Sequence, residues 1–120
     1  MVIWKDLRRP AAEGIAEDRP KGELLVIEGG GTSFKTGFAF TLPREATIGR
    51  ASSNTIILAD PFVSSNHAKL VYRDEKWWLT DLGSRNGTWI NGERVDREVP
   101  LYPDDILTIG QVTLKLTTDR

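Results

Sequence analysis

The chain has 120 residues, 39% of them hydrophobic and 28% charged, the size and balance of one globular domain with one core. Its formal net charge is −1, so it lacks the basic excess of proteins that live by binding nucleic-acid phosphates. It has no cysteine and a single histidine, His67, which excludes disulfides and thiolate metal sites, fits a reducing compartment, and nearly excludes a zinc site of the usual kind; no metal and no cofactor is expected.

Residues 1–21 differ in texture from the rest. They carry Arg-Arg-Pro, Ala-Ala-Glu-Gly and Glu-Asp-Arg-Pro with few β-branched residues, and read as a linker or flexible arm. From Glu23 onward the pattern is that of strands. Leu24 to Ile27 forms the first, Gly29-Gly30-Gly31-Thr32-Ser33 a turn, and Phe38 to Leu42 the return strand. Thr47-Ile48-Gly49 and Thr55 to Leu58 are short strands, with Ile48 pointing into the core and Gly49 letting the chain turn. Ala68 to Tyr72 alternates, Arg73-Asp74-Glu75 turns, and Lys76 to Thr80 returns with Trp77 and Leu79 on one face. Thr88-Trp89-Ile90 and Arg94-Val95 flank Asn91-Gly92, a two-residue hairpin signal. Ile106 to Ile109, Gly110-Gln111 and Val112 to Leu116 form the last hairpin. About ten short strands and no helix after residue 20 predict an all-β sandwich or barrel.

Three turns carry the chemistry. Gly49-Arg50 sets a guanidinium at the start of a loop, where its fork of donors suits two phosphate oxygens; taken alone, it reads as an ordinary exposed loop arginine. Val63-Ser64-Ser65-Asn66-His67 offers hydroxyls and backbone N–H groups to an anion, with His67 placed to tie loops together. A Ser64–His67 nucleophile–base pair is the hydrolase alternative, and it lacks the Gly-x-Ser-x-Gly elbow. Ser84-Arg85-Asn86-Gly87-Thr88 is a polar turn whose asparagine amide can both donate to and accept from an extended backbone. Gly29 to Ser33 has no Gly-Lys-Ser/Thr and no following helix, so it is a hairpin loop rather than a P-loop, and Pro103-Asp104-Asp105 is turn chemistry rather than a metal site.

Taken in order, Gly49-Arg50, Ser64 to His67 and Asn86-Gly87 resemble the forkhead-associated (FHA) domain family. Ile48, Val63, Asp81-Leu82-Gly83-Ser84, Thr88 and Asp105-Ile106-Leu107 extend the match, which runs from about Gly22 to Leu116. The resemblance implies an FHA domain over residues 22–118, a β-sandwich of about eleven strands with ligand-binding loops at one end. It implies a non-catalytic reader of phosphothreonine peptides in Ser/Thr kinase signalling, with an Arg-based phosphate grip. By the same likeness Arg50 and Ser64 contact the phosphate, Ser65 adds a hydroxyl or backbone donor, and Asn86 holds the peptide main chain with Arg85 beside it. Gly49, His67 and Gly87 shape the loops. Val63 or neighbouring loop carbons offer apolar surface to the threonine methyl.

Bacterial members often carry arginine where this chain has Ser65; Arg85, Lys69 or Arg44 are the cations that can compensate. Residues 1–23 contain no serine or threonine, so the self-inhibition by a phosphorylated arm seen in some members is not available. Trp4 to Arg9 instead resembles the basic flank of a membrane anchor, with a plain charged linker as the equal alternative. No run approaches the roughly 20 apolar residues of a span, and no signal-peptide region follows Met1. The expectation is a cytoplasmic monomer, at the inner face of the membrane if an anchor lies upstream of residue 1. Its partner is a phosphothreonine protein, a Ser/Thr kinase or its substrate. The competing function is a phosphate-independent interaction scaffold of the same fold.

Overall fold

A computed structural model describes residues 22–118. The arm expected over residues 1–21, with its basic flank, lies outside the described residues. The strands are β1 (Glu23–Glu28), β2 (Ala39–Thr41), β3 (Glu45–Gly49), β4 (Ile56–Ile57), β5 (Ala68–Arg73), β6 (Lys76–Asp81), β7 (Thr88–Ile90), β8 (Glu93–Arg94), β9 (Val99–Leu101), β10 (Ile106–Ile109) and β11 (Val112–Thr117). They form two sheets, in the orders β2-β1-β11-β10-β7-β8 and β4-β3-β5-β6-β9. The all-β sandwich of eleven strands is therefore the observed architecture.

Alternation builds the core. Leu24 and Val26 of β1, Leu107 and Ile109 of β10, and Val112, Leu114 and Leu116 of β11 are buried. They meet Ala46 and Ile48 of β3, Ala68 and Leu70 of β5, and Trp77 and Leu79 of β6 from the other sheet. Asn91-Gly92 closes the β7–β8 hairpin with φ of 50° and 85°, the left-handed pair that a two-residue turn of this kind needs.

The departures from expectation are local. β9 was not expected: it holds only three residues around Pro100, which cannot donate to a ladder and sits at the sheet edge. Phe38 precedes its strand, and Thr55 and Leu58 flank a two-residue β4 that runs parallel to β3. Arg94 ends β8, leaving Val95 outside it.

Register decides where the loops meet. Ile48 pairs with Ala68 and Ala68 with Asp81, so the chain after β3, before β5 and after β6 emerges at one end. Ile109 pairs with Thr88, and Glu28 with Thr113, which brings the β10–β11 turn and the loop after β1 to the same end.

Candidate functional site

The loops at this end are tied to one another by backbone bonds. Arg50 N–H donates to Ser64 O (2.9 Å), Ala51 N–H to Ser65 O (3.2 Å) and His67 N–H to Ile48 O (2.9 Å). Gly49 has a role other than turning: it is the last residue of β3, and it allows close approach. A Cβ there would collide with Ser65 O and lie 2.7 Å from Asn54 Nδ2. That amide is itself a clamp, donating to Ala51 O at 2.9 Å and to Ser65 O at 2.7 Å.

His67 is fully buried and both ring nitrogens are engaged. Nδ1 accepts the Ser64 backbone N–H at 3.0 Å, so the ring proton resides on Nε2, which donates to Gly87 O at 2.9 Å. One imidazole thus joins the loop before β5 to the loop before β7. The Ser64–His67 nucleophile–base pair is not formed, because the histidine takes the serine's amide rather than its hydroxyl. Gly87 presents its carbonyl from a φ of 89°, which favours glycine.

Asp81 anchors the third loop. Oδ1 accepts Gly83 N–H and Ser84 N–H, each at 2.8 Å. Oδ2 accepts the Ser84 and Thr88 hydroxyls, each at 2.6 Å. Burial pushes this carboxyl upward, but its four hydrogen bonds outweigh that and hold it below the ordinary carboxylate range. Ser84 Oγ in turn accepts Gly87 N–H at 2.9 Å.

Between these loops lies an open cleft of about 280 Å³, lined by Arg50, Pro61, Phe62, Val63, Ser64, Ser65, Arg85 and Asn86. The five residues expected to meet ligand all line it, while Gly49, His67 and Gly87 stand behind as supports. Arg50 Nε–H donates to Val63 O at 2.9 Å, which fixes the guanidinium and leaves its terminal nitrogens for a ligand. Ser64 Oγ accepts Arg85 N–H at 3.0 Å. Asn86 Nδ2 donates to Phe62 O at 2.9 Å, leaving its Oδ1 and a second N–H. Two guanidiniums and no carboxylate line the cleft, so it suits an anion. Of the cations expected to offset Ser65, Arg85 lines the cleft and Arg44 and Lys69 do not. The Val63 side chain is 1% exposed and belongs to the core, so Pro61 and the half-exposed Phe62 supply the apolar wall.

Asn54 and Asp81 were not anticipated as site supports. Ser52-Ser53-Asn54 and Asp81-Leu82-Gly83-Ser84 do carry a readable signal, since Asn and Asp side chains bind backbone a few residues away. Among the described residues no group of three or more His, Asp or Glu is arranged to hold a metal ion, and no helix is long and apolar enough to cross a membrane.

The chain matches the FHA domain family over residues 46–110, more than half its length. It is 33% identical over 104 residues to the FHA domain-containing protein FhaB of Mycobacterium tuberculosis, covering 86% of this chain and 65% of FhaB. It is also 33% identical over 105 residues to the oxoglutarate dehydrogenase inhibitor of Corynebacterium glutamicum, covering 88% of this chain and 71% of that protein. Among solved structures it resembles Mycobacterium tuberculosis EmbR in complex with a low-affinity phosphopeptide, with a TM-score of 0.74 and 26% identity, covering 83% of this chain and 25% of EmbR.

Proposed function

This chain belongs to the forkhead-associated (FHA) domain family, and we propose on that premise that it is a non-catalytic module that binds phosphothreonine peptides in Ser/Thr kinase signalling. The observation that carries this is the convergence of Arg50, Ser64 and Asn86 from three loops on one cleft, each already oriented by a second hydrogen bond. Arg50 supplies the charged fork for the phosphate. Ser64 supplies an O–H donor, and Ser65 and Arg85 add donors at the rim. Asn86 holds the main chain beside the phosphorylated residue. Because these groups are held in place before ligand arrives, little side-chain entropy is lost on binding.

The partner in this reading is a phosphothreonine-bearing protein, either a Ser/Thr kinase or its substrate, on the cytoplasmic side of a membrane. Residues 22–118 form the binding unit and residues 1–21 tether it. A phosphate-independent scaffold has no use for a cleft lined by two guanidiniums and no carboxylate. The test is a screen of phosphothreonine peptides with unphosphorylated and phosphoserine controls. Selective retention of phosphothreonine peptides is expected, whereas retention indifferent to phosphate would favour the scaffold.

A further inference from the structure

Asp60 is fully buried, does not line the cleft, and has no cation within ion-pair distance among the described residues. Its carboxylate accepts four N–H groups instead. Oδ1 accepts Gly31 N–H at 2.7 Å and Gln111 Nε2–H at 3.2 Å. Oδ2 accepts Phe62 N–H at 3.0 Å and Gln111 N–H at 3.3 Å. Its backbone carbonyl also accepts Val63 N–H at 3.0 Å. One residue therefore joins the loop before β5, which belongs to one sheet, to the loop after β1 and the β10–β11 turn, which belong to the other. Two glycines are fitted around it: a Cβ at Gly31 would stand 2.8 Å from Oδ1, and one at Gly110 2.7 Å from Oδ2.

Within its own loop, the amides that Asp60 holds are those of Phe62 and Val63. Their carbonyls are the acceptors that orient the ligand groups, Phe62 O for Asn86 Nδ2 and Val63 O for Arg50 Nε. Displacing Asp60 would move both carbonyls, and with them both ligand side chains. Gly31 lies on a loop that contributes nothing to the cleft, yet its N–H makes the shortest of the four bonds to the carboxylate.

We propose that Asp60 is the positioning residue of the cleft: through the Phe62 and Val63 peptide units it sets Arg50 and Asn86, and it couples the Gly29–Ser33 loop to ligand affinity. This rests on the phosphopeptide reading given above. It identifies a buried carboxylate that does not line the cleft as a determinant of affinity, and a loop outside the cleft as a place from which affinity can be changed.

The test compares Asp60→Asn, Gly31→Ala and a core truncation at the opposite end, Leu24→Val, in the full chain at a temperature where all are folded. Asp60→Asn puts an N–H₂ against N–H donors, and Gly31→Ala pushes a methyl against Oδ1 and Pro61 Cδ. Titration with a phosphothreonine peptide is expected to show about tenfold weaker binding for Asp60→Asn, a several-fold loss for Gly31→Ala, and parental affinity for Leu24→Val even where its Tm falls. Parental affinity in both Asp60→Asn and Gly31→Ala would overturn the proposal, as would an equal loss in Leu24→Val. If Asp60→Asn does not fold, Gly31→Ala decides. If the parent binds no phosphopeptide, the function reading falls, and amide exchange in the ligand-free protein decides Asp60's role. Faster exchange at Phe62 and Val63 in Gly31→Ala than in Leu24→Val supports it, and equal exchange refutes it.

Discussion

The hydroxyl oxygen of Ser64 accepts the backbone N–H of Arg85 at 3.0 Å. That contact occupies a lone pair of the oxygen and leaves its hydrogen to donate into the cleft. Ser64→Ala therefore removes a ligand donor and leaves the Arg85 amide without its acceptor. A hydrogen bond to a charged group is worth about 1.5–3 kcal/mol, so peptide affinity should fall roughly tenfold to a hundredfold with the fold retained. Calorimetry and a melting curve on one preparation check both halves.

Arg50 is exposed, and its loss opens no cavity. Arg50→Ala should cost about 2–5 kcal/mol of binding, as expected when one partner of a hydrogen-bonded charge pair is truncated, with a melting temperature close to parental. Arg50→Lys should fail nearly as badly, because lysine has no Nε–H to donate to Val63 O and no second nitrogen to complete the fork. Parental affinity in Arg50→Lys would show that charge alone suffices.

His67→Ala should act on stability. It leaves Ser64 N–H and Gly87 O unpaired beside a cavity in the interior. The combined penalty is about 2–4 kcal/mol, a fall in Tm of roughly 8–20 °C for a domain of this size. Thermal unfolding of the variant measures it.

Asp81 gives a pH dependence with a definite sign. Its folded pKa lies below the ordinary value of 3.8. The stability that it contributes is therefore present above the unfolded pKa and lost as pH falls through the folded one. Asp60 is shifted the same way: burial raises it, and hydrogen bonds from Gly31, Phe62 and Gln111 more than offset that. The domain should lose Tm as pH drops below about 4. Asp81→Asn should lower Tm at neutral pH and flatten part of that acid slope. An unchanged acid slope in the variant would show that Asp81 is not among the groups responsible.

The strand pattern was legible because alternation is strict where one face is buried, as in Trp77 and Leu79 or Leu114 and Leu116. It failed at β9, where Pro100 breaks the strand signature and pairing with β6 makes the segment a strand. The residues that line the cleft were legible as types and order, since arginine, hydroxyls and an asparagine amide in separate turns suit a phosphate. Their supports were less so. Asn54 and Asp60 act on loops distant in sequence, and nothing local distinguishes a turn aspartate that caps its own loop from one that joins two sheets. The close approach at Gly49 was hidden for the same reason, because the backbone that crowds it belongs to Ser65.

The most direct measurement is a calorimetric titration of the protein with one threonine peptide in two forms, phosphorylated and unphosphorylated, taken from the best binder in a phosphothreonine library. The account predicts micromolar binding of the phosphorylated form, on the order of −8 kcal/mol, with no detectable heat from the other form and binding at least about thirtyfold weaker in the Arg50→Ala variant. Equal binding of the two peptide forms, or undiminished binding by Arg50→Ala, would contradict it.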